Sequence, residues 1–144
     1  MTSLKDIEDV SQSEMVRSAA ATGFAARFAA AGVTTTEGLL ERAGTPKGRE
    51  ELAAATGVAH EVILRVTNHA DLFRIRGVAT QYADLLEAAG VDTVPELAQR
   101  NPENLVKKLV EVNEAQGLVK RLPTLAEVTD WVAQAKEMPR AIHY

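Results

Sequence analysis

Residues 79–97 repeat residues 21–39 at an offset of 58, and no other feature of the chain constrains its fold as strongly. The pairs Ala21/Ala79, Thr22/Thr80, Ala25/Ala83, Ala30/Ala88, Ala31/Ala89, Gly32/Gly90, Val33/Val91, Thr35/Thr93 and Leu39/Leu97 are identical, and Phe24/Tyr82 and Phe28/Leu86 are conservative. Alanine matches carry little weight, because Ala-rich helices align with one another readily. The shared Ala-Ala-Gly-Val ending and the Thr two places before each aromatic carry more. Each copy is followed by a short segment, a polar-proline helix start (Thr45-Pro46, Asn101-Pro102) and two longer helical stretches. That order points to an internal duplication. It predicts one compact domain over 1–144 with approximate halves 1–70 and 71–144.

Helix punctuation fills nearly all of the chain. Residues 1–10 form an acidic lead with a turn around Ile7 and Val10, after which Ser11 and Ser13 offer N-caps. The span 13–31 reads as a helix, with Phe24 and Phe28 on one face and Gly23 inside it as a point of break or restart. Gly32 ends it as a C′ glycine. Thr34-Thr35-Thr36-Glu37 reads as a capping box for a short helix closing at Gly44. Thr45-Pro46 opens a helix to Gly57, and Val62, Ile63, Val66 and Ala70 stripe the next, over about 60–70. Downstream, Thr80 is the expected N-cap of a helix whose buried face is Tyr82, Leu85, Leu86 and Ala89. A short helix follows from Asp92-Thr93-Val94-Pro95-Glu96. Asn101-Pro102-Glu103 starts a helix with Leu105, Leu109 and Val112 inside, stopped at Gly117. Thr124-Leu125-Ala126-Glu127 is another capping box, leading a helix that carries Leu125, Val128, Trp131, Val132 and Ala135. No stretch alternates with period two for long enough to form a strand. The expected class is all-α.

Composition narrows the function classes. Aromatics are 4% of a chain that is 46% hydrophobic, so the core must be Ala, Leu and Val, which lets helices approach closely. A net charge of −4 argues against a strongly electrostatic nucleic-acid binder, while leaving room for a local basic patch. Without cysteine there is no disulfide framework, thiolate zinc site or cysteine nucleophile. His60 and His69 lack the i, i+4 spacing of a zinc helix, and no phosphate-loop, dinucleotide or nucleophile-elbow motif occurs. No metal, cofactor or catalytic residue is assigned. The N-terminus carries no apolar signal segment and no run is long enough for a membrane span, so the expectation is a cytoplasmic chain that does not enter membranes.

The stretch Ile75-Arg76-Gly77-Val78-Ala79-Thr80-Gln81-Tyr82-Ala83-Asp84-Leu85-Leu86-Glu87-Ala88-Ala89-Gly90-Val91 resembles the helix-hairpin-helix pattern, an apolar-x-Gly-apolar-Gly turn followed by a helix ending in Ala-Gly-apolar. Over nearly its whole length the chain is similar to the DUF4332 family of tandem helix-hairpin-helix proteins, through Thr45-Pro46-Lys47-Gly48-Arg49-Glu50-Glu51-Leu52, Val91-Asp92-Thr93-Val94-Pro95-Glu96-Leu97-Ala98, Arg100-Asn101-Pro102-Glu103-Asn104-Leu105 and Trp131-Val132-Ala133-Gln134-Ala135-Lys136. The resemblance implies a tandem helix-hairpin-helix (SAM-like) bundle of short helices. It also implies that hairpin amides and the following helix start hold a nucleic-acid phosphate, a sequence-independent contact. The residues placed there are Arg74, Arg76, Gly77, Val78, Ala79 and Thr80.

This chain departs from the pattern at two places. Ala79 stands where a second glycine belongs, which would strain the turn if that position needs positive φ. In the first copy Ala19 falls opposite Gly77, and Ala20-Ala21 opposite Val78-Ala79, with no glycine at all. The other alignment makes Ile7-Glu8-Asp9-Val10 the first hairpin, with 11–20 an insertion. Outside the hairpin, Lys107, Lys108, Lys120 and Arg121 read as a solvated face. Two functions from different classes therefore stand: a non-enzymatic DNA-binding module using the second hairpin, and a protein-interaction or homo-oligomeric module whose hairpins no longer bind nucleic acid.

Overall fold

Hydroxyl, amide and proline residues start most of the helices of this chain, and glycines in positive φ stop several of them. The computed structural model describes residues 2–144, and among these the chain forms ten α-helices and no strand, with one isolated bridge between Ser3 and Thr35. Two compact units result, and the boundary falls between Asp71 and Leu72.

The first unit holds α1 (Leu4–Val10), α2 (Glu14–Ala20), α3 (Phe24–Ala30), α4 (Thr36–Ala43), α5 (Pro46–Thr56) and α6 (His60–Leu72) as far as Asp71, together with residues Ala141–Tyr144. Ser13 caps α2 by accepting from the Val16 N–H, 3.3 Å. The helical span 13–31 is divided in two at Gly23, which at φ +67 turns the chain between α2 and α3. The expected Thr34 capping box does not form. Thr35 caps α4 instead, accepting from the Gly38 N–H at 3.1 Å. Thr45 and Pro46 start α5 as read, and Gly57 closes it at φ +73. Phe24 and Phe28 are both fully buried, edge to face with ring centroids 5.7 Å apart. In α1, Ile7 is buried and Val10, its last residue, is 56% exposed.

The second unit, Leu72–Arg140, holds α7 (Thr80–Ala88), α8 (Val94–Ala98), α9 (Pro102–Gln116) and α10 (Leu125–Glu137). α10 packs on α8 and α9, and α9 packs on α7. The core runs through Leu85, Leu86, Leu97, Leu105, Leu109, Val128, Trp131 and Val132. Asn101 caps α9, accepting from the Asn104 N–H, and the Thr124–Glu127 capping box of α10 is complete. Leu125 is 46% exposed. It is the first residue of α10, a position from which its side chain does not reach the core.

Candidate anion site at the start of α7

The segment between α6 and α7 turns at residues 75–78, where the Val78 N–H donates to the Ile75 carbonyl at 3.1 Å. Gly77 occupies the third position of that turn with φ +96, a conformation that glycine adopts without strain. A β-carbon on Gly77 would also stand 2.9 Å from Trp131 Nε1, so the indole of α10 closes over the turn. Trp131 in turn lies against Tyr82, ring centroids 5.2 Å apart.

Ala79, not Thr80, is the N-cap of α7. Its φ of −102 and ψ of −174 are extended backbone, so the alanine that stands at the second-glycine position is unstrained. No side chain caps this helix. The amides of Ala79, Thr80, Gln81 and Tyr82 have no acceptor among the described residues, whereas the Ala83 N–H bonds the Ala79 carbonyl at 2.9 Å. Orphan amides at a helix start carry the positive end of the helix dipole.

The residues that carry those amides, Ala79, Thr80, Gln81 and Tyr82, line an open concavity of about 380 Å³ together with Lys120 and Arg121. The two cations come from the loop between α9 and α10. Asn113 fixes that loop from both sides, donating to the Val119 carbonyl at 3.1 Å and accepting from the Val119 N–H at 2.9 Å. Tyr82 Oη donates to the Arg121 carbonyl at 3.0 Å, which ties the loop to α7. Arg121 makes a two-pronged pair with Glu127, 2.8 and 3.0 Å, and its guanidinium lies 6.0 Å from the Tyr82 ring centroid. The Arg121 hydrogen bonds and the Thr124 backbone N–H hold the Glu127 carboxyl well below its ordinary value, at about 2. Lys120 is exposed and has no ion-pair partner among the described residues.

The arginines read from the sequence lie elsewhere. Arg74 donates from Nη2 to the Pro139 carbonyl at 2.7 Å. The Arg76 N–H donates to Gln134 Oε1, and Gln134 Nε2 donates back to the Arg76 carbonyl, 2.9 and 3.1 Å. Both arginines line a separate concavity whose other charged residues are Asp130 and Glu137. Val78 is buried and supports the turn from inside. Of the six residues read from the sequence, only Ala79 and Thr80 border the concavity at the start of α7. Gln81, Tyr82, Lys120 and Arg121, which also line it, were not placed there.

The family model described as "Domain of unknown function (DUF4332)" matches residues 19–138. The chain belongs to the DUF4332 family. No curated protein and no solved structure matches it.

The DUF4332 span covers both of the similar stretches, 21–39 and 79–97, and their helices end with the same hydrogen bonds. Val33 N–H bonds the Phe28 carbonyl at 2.8 Å, and Val91 N–H bonds the Leu86 carbonyl at 2.9 Å. Gly32 and Gly90 sit at φ +86 and +91. The two copies differ at their starts. The glycine that turns the chain before α3 is Gly23, which is itself the N-cap, whereas Gly77 lies three residues before the first residue of α7. Among the described residues of this DUF4332 chain, no group of three or more His, Asp or Glu is arranged to hold a metal, and no helix is long and apolar enough to cross a membrane.

Proposed function

We propose that this chain is a tandem helix-hairpin-helix module derived by internal duplication, and that its second hairpin binds nucleic-acid backbone phosphate without reading sequence. The duplication is supported by the matched Val33/Val91 hydrogen bonds and by the paired positive-φ glycines at Gly32 and Gly90. The phosphate reading is carried by one observation. The four residues whose amides lack acceptors at the start of α7 line the same concavity as Lys120 and Arg121. A phosphate oxygen there accepts from the amides and meets the helix dipole, with Lys120 supplying uncompensated charge. Arg121 contributes less charge, because Glu127 already occupies its fork. The reading assigns no reaction and needs no cofactor.

Such a contact reads no bases, so duplexes of unrelated sequence bind equally. Each phosphate neutralised gives a slope of about −0.9 in log K against log salt on B-DNA. The test is fluorescence anisotropy with labelled duplex and single-stranded DNA, from low to physiological salt. Absence of binding to both at low salt sinks the proposal. So does a Lys120→Glu chain that binds as the unaltered one does.

A further inference from the structure

The first unit holds a feature that phosphate binding does not use: an arginine buried without a carboxylate. Arg49 on α5 is 2% exposed and has no ion-pair partner among the described residues. Its Nη1 donates to the Ala43 carbonyl at 3.0 Å and its Nη2 to the His143 carbonyl at 2.7 Å, while Nε has no hydrogen-bond partner. A buried cation is tolerated only when its protons find acceptors, and here the acceptors are main-chain carbonyls. One of them belongs to the segment Ala141–Tyr144, which leaves α10 through Pro139 and Arg140 and returns to the first unit.

The rest of that corner also receives backbone. The His143 N–H donates to the Gly44 carbonyl at 2.7 Å. Gly44 has an ordinary φ of −69, so conformation does not require glycine there. Space does, because a β-carbon on Gly44 would stand 2.7 Å from both the Ala141 and the Leu40 carbonyl oxygens. Ile142 is the one buried side chain of the segment, and Tyr144 Oη donates to Asn68 Oδ1 at 3.0 Å. The Tyr144 ring lies 5.9 Å from the Arg49 guanidinium.

We infer that the corner between α4 and α5 is an acceptor groove for an extended segment, and that a second copy of this chain supplies the segment by exchanging residues 141–144. The groove recognises main chain through Gly44 and Arg49, and side chain through Ile142 and Tyr144. An identical segment from another molecule satisfies every one of these contacts with no new chemistry, the condition under which exchange of an element is cheap. The segment has no helix and few buried atoms, so it opens well before the unit unfolds. Pro139 is held by Arg74 within the second unit, so the exchanged segment begins after it. Attachment in the same chain gives the segment a high effective concentration, so the unaltered protein keeps its own segment at micromolar concentration and exchanges when concentrated. This inference is independent of the phosphate site and needs no nucleic acid.

Complementation between two full-length variants tests it. Ile142→Ser empties the groove and spoils the segment, while Arg49→Met spoils the groove and leaves the segment intact. Sedimentation velocity is expected to find each variant monomeric alone and a one-to-one heterodimer on mixing. A mixture that stays monomeric, with both variants retaining their helical circular dichroism, overturns the proposal. Should Arg49→Met fail to fold, Gly44→Ala replaces it. A labelled synthetic peptide of residues 139–144 gives a second reading. It should bind the Ile142→Ser chain at least tenfold more tightly than the unaltered chain, whose own segment competes. Equal binding to the two, or none to a folded Ile142→Ser chain, also overturns it.

Discussion

Trp131 Nε1 lies 2.9 Å from the point at which a β-carbon on Gly77 would stand, so the turn before α7 and the middle of α10 fit only while residue 77 has no side chain. Gly90 makes a useful contrast. Its φ of +91 is close to the +96 of Gly77, yet nothing lies within 4 Å of a β-carbon there. Gly90→Ala should therefore cost only the backbone term, about 1–2 kcal/mol. Gly77→Ala should cost that and the displacement of the indole, bringing the loss to roughly 2–4 kcal/mol. Thermal or urea unfolding of the two variants checks the order. Equal losses would mean that Trp131 moves aside freely.

Ala79 leaves α7 without a side-chain cap, and that makes it a position where stability and binding should part. Ala79→Asp supplies an acceptor to the amides of the first turn and should stabilise the fold by about 0.5–2 kcal/mol. The same carboxylate occupies the amides on which the phosphate reading depends, and it repels an anion. DNA affinity should fall while the midpoint of unfolding rises. A more stable Ala79→Asp chain with unchanged affinity would place the binding surface elsewhere.

Lys120 and Arg76 are both exposed cations of the second unit, but their settings differ. Lys120 borders the start of α7, and Arg76 lines a concavity that also carries Asp130 and Glu137. Lys120→Glu should lower affinity at low salt and flatten the salt dependence by about one phosphate equivalent. Arg76→Glu should have the smaller effect. Anisotropy titrations at three salt concentrations distinguish the two, and the reverse order would return the site to the arginines before the turn.

Glu127 links the Arg121 loop to the capping box of α10. Its carboxyl is held down at about 2, against an ordinary 4.5, first by the Arg121 hydrogen bonds and then by the Thr124 N–H. A carboxyl with a lowered folded value contributes stability that is fully present above its unfolded value and lost as pH falls through the folded one. The window is therefore from about 4.5 down to about 2. Carbon-detected titration of the Glu127 carboxyl should find its midpoint near the bottom of that window. Arg121→Gln should raise the midpoint while leaving it below the ordinary value, because the Thr124 N–H remains. A midpoint unmoved by Arg121→Gln would show that the pair contributes nothing in solution.

Features that depend on residues a few places apart were legible in the chain alone. The Thr45-Pro46 and Asn101-Pro102 starts, the Thr124–Glu127 box and the stops at Gly32, Gly57, Gly90 and Gly117 all came through, because a cap is a contact between near neighbours. Where neighbours competed, the reading slipped by a residue. Thr35 caps α4 in place of Thr34, and Ala79 precedes α7 where Thr80 was expected. The break at Gly23 was visible as a glycine but undecided, since helical glycine is merely unfavourable and only the fold sets its φ at +67.

The sequence by itself determined that this DUF4332 chain is helical, where most of its helices begin and end, and that residues 79–97 resemble residues 21–39. Only the tertiary structure decided which cations border the Gly77 turn's helix. Lys120 and Arg121 are some forty residues from Thr80 and are brought beside it by the Asn113 and Tyr82 hydrogen bonds. Arg74 and Arg76 lie only a few residues before Thr80, yet both line the other concavity, Arg74 with its guanidinium on the Pro139 carbonyl. Likewise, nothing local marks Gly44 as a passage or Arg49 as buried. Those roles exist because residues 141–144 return to the first unit, and a contact across about ninety residues leaves no periodic trace in the chain that makes it.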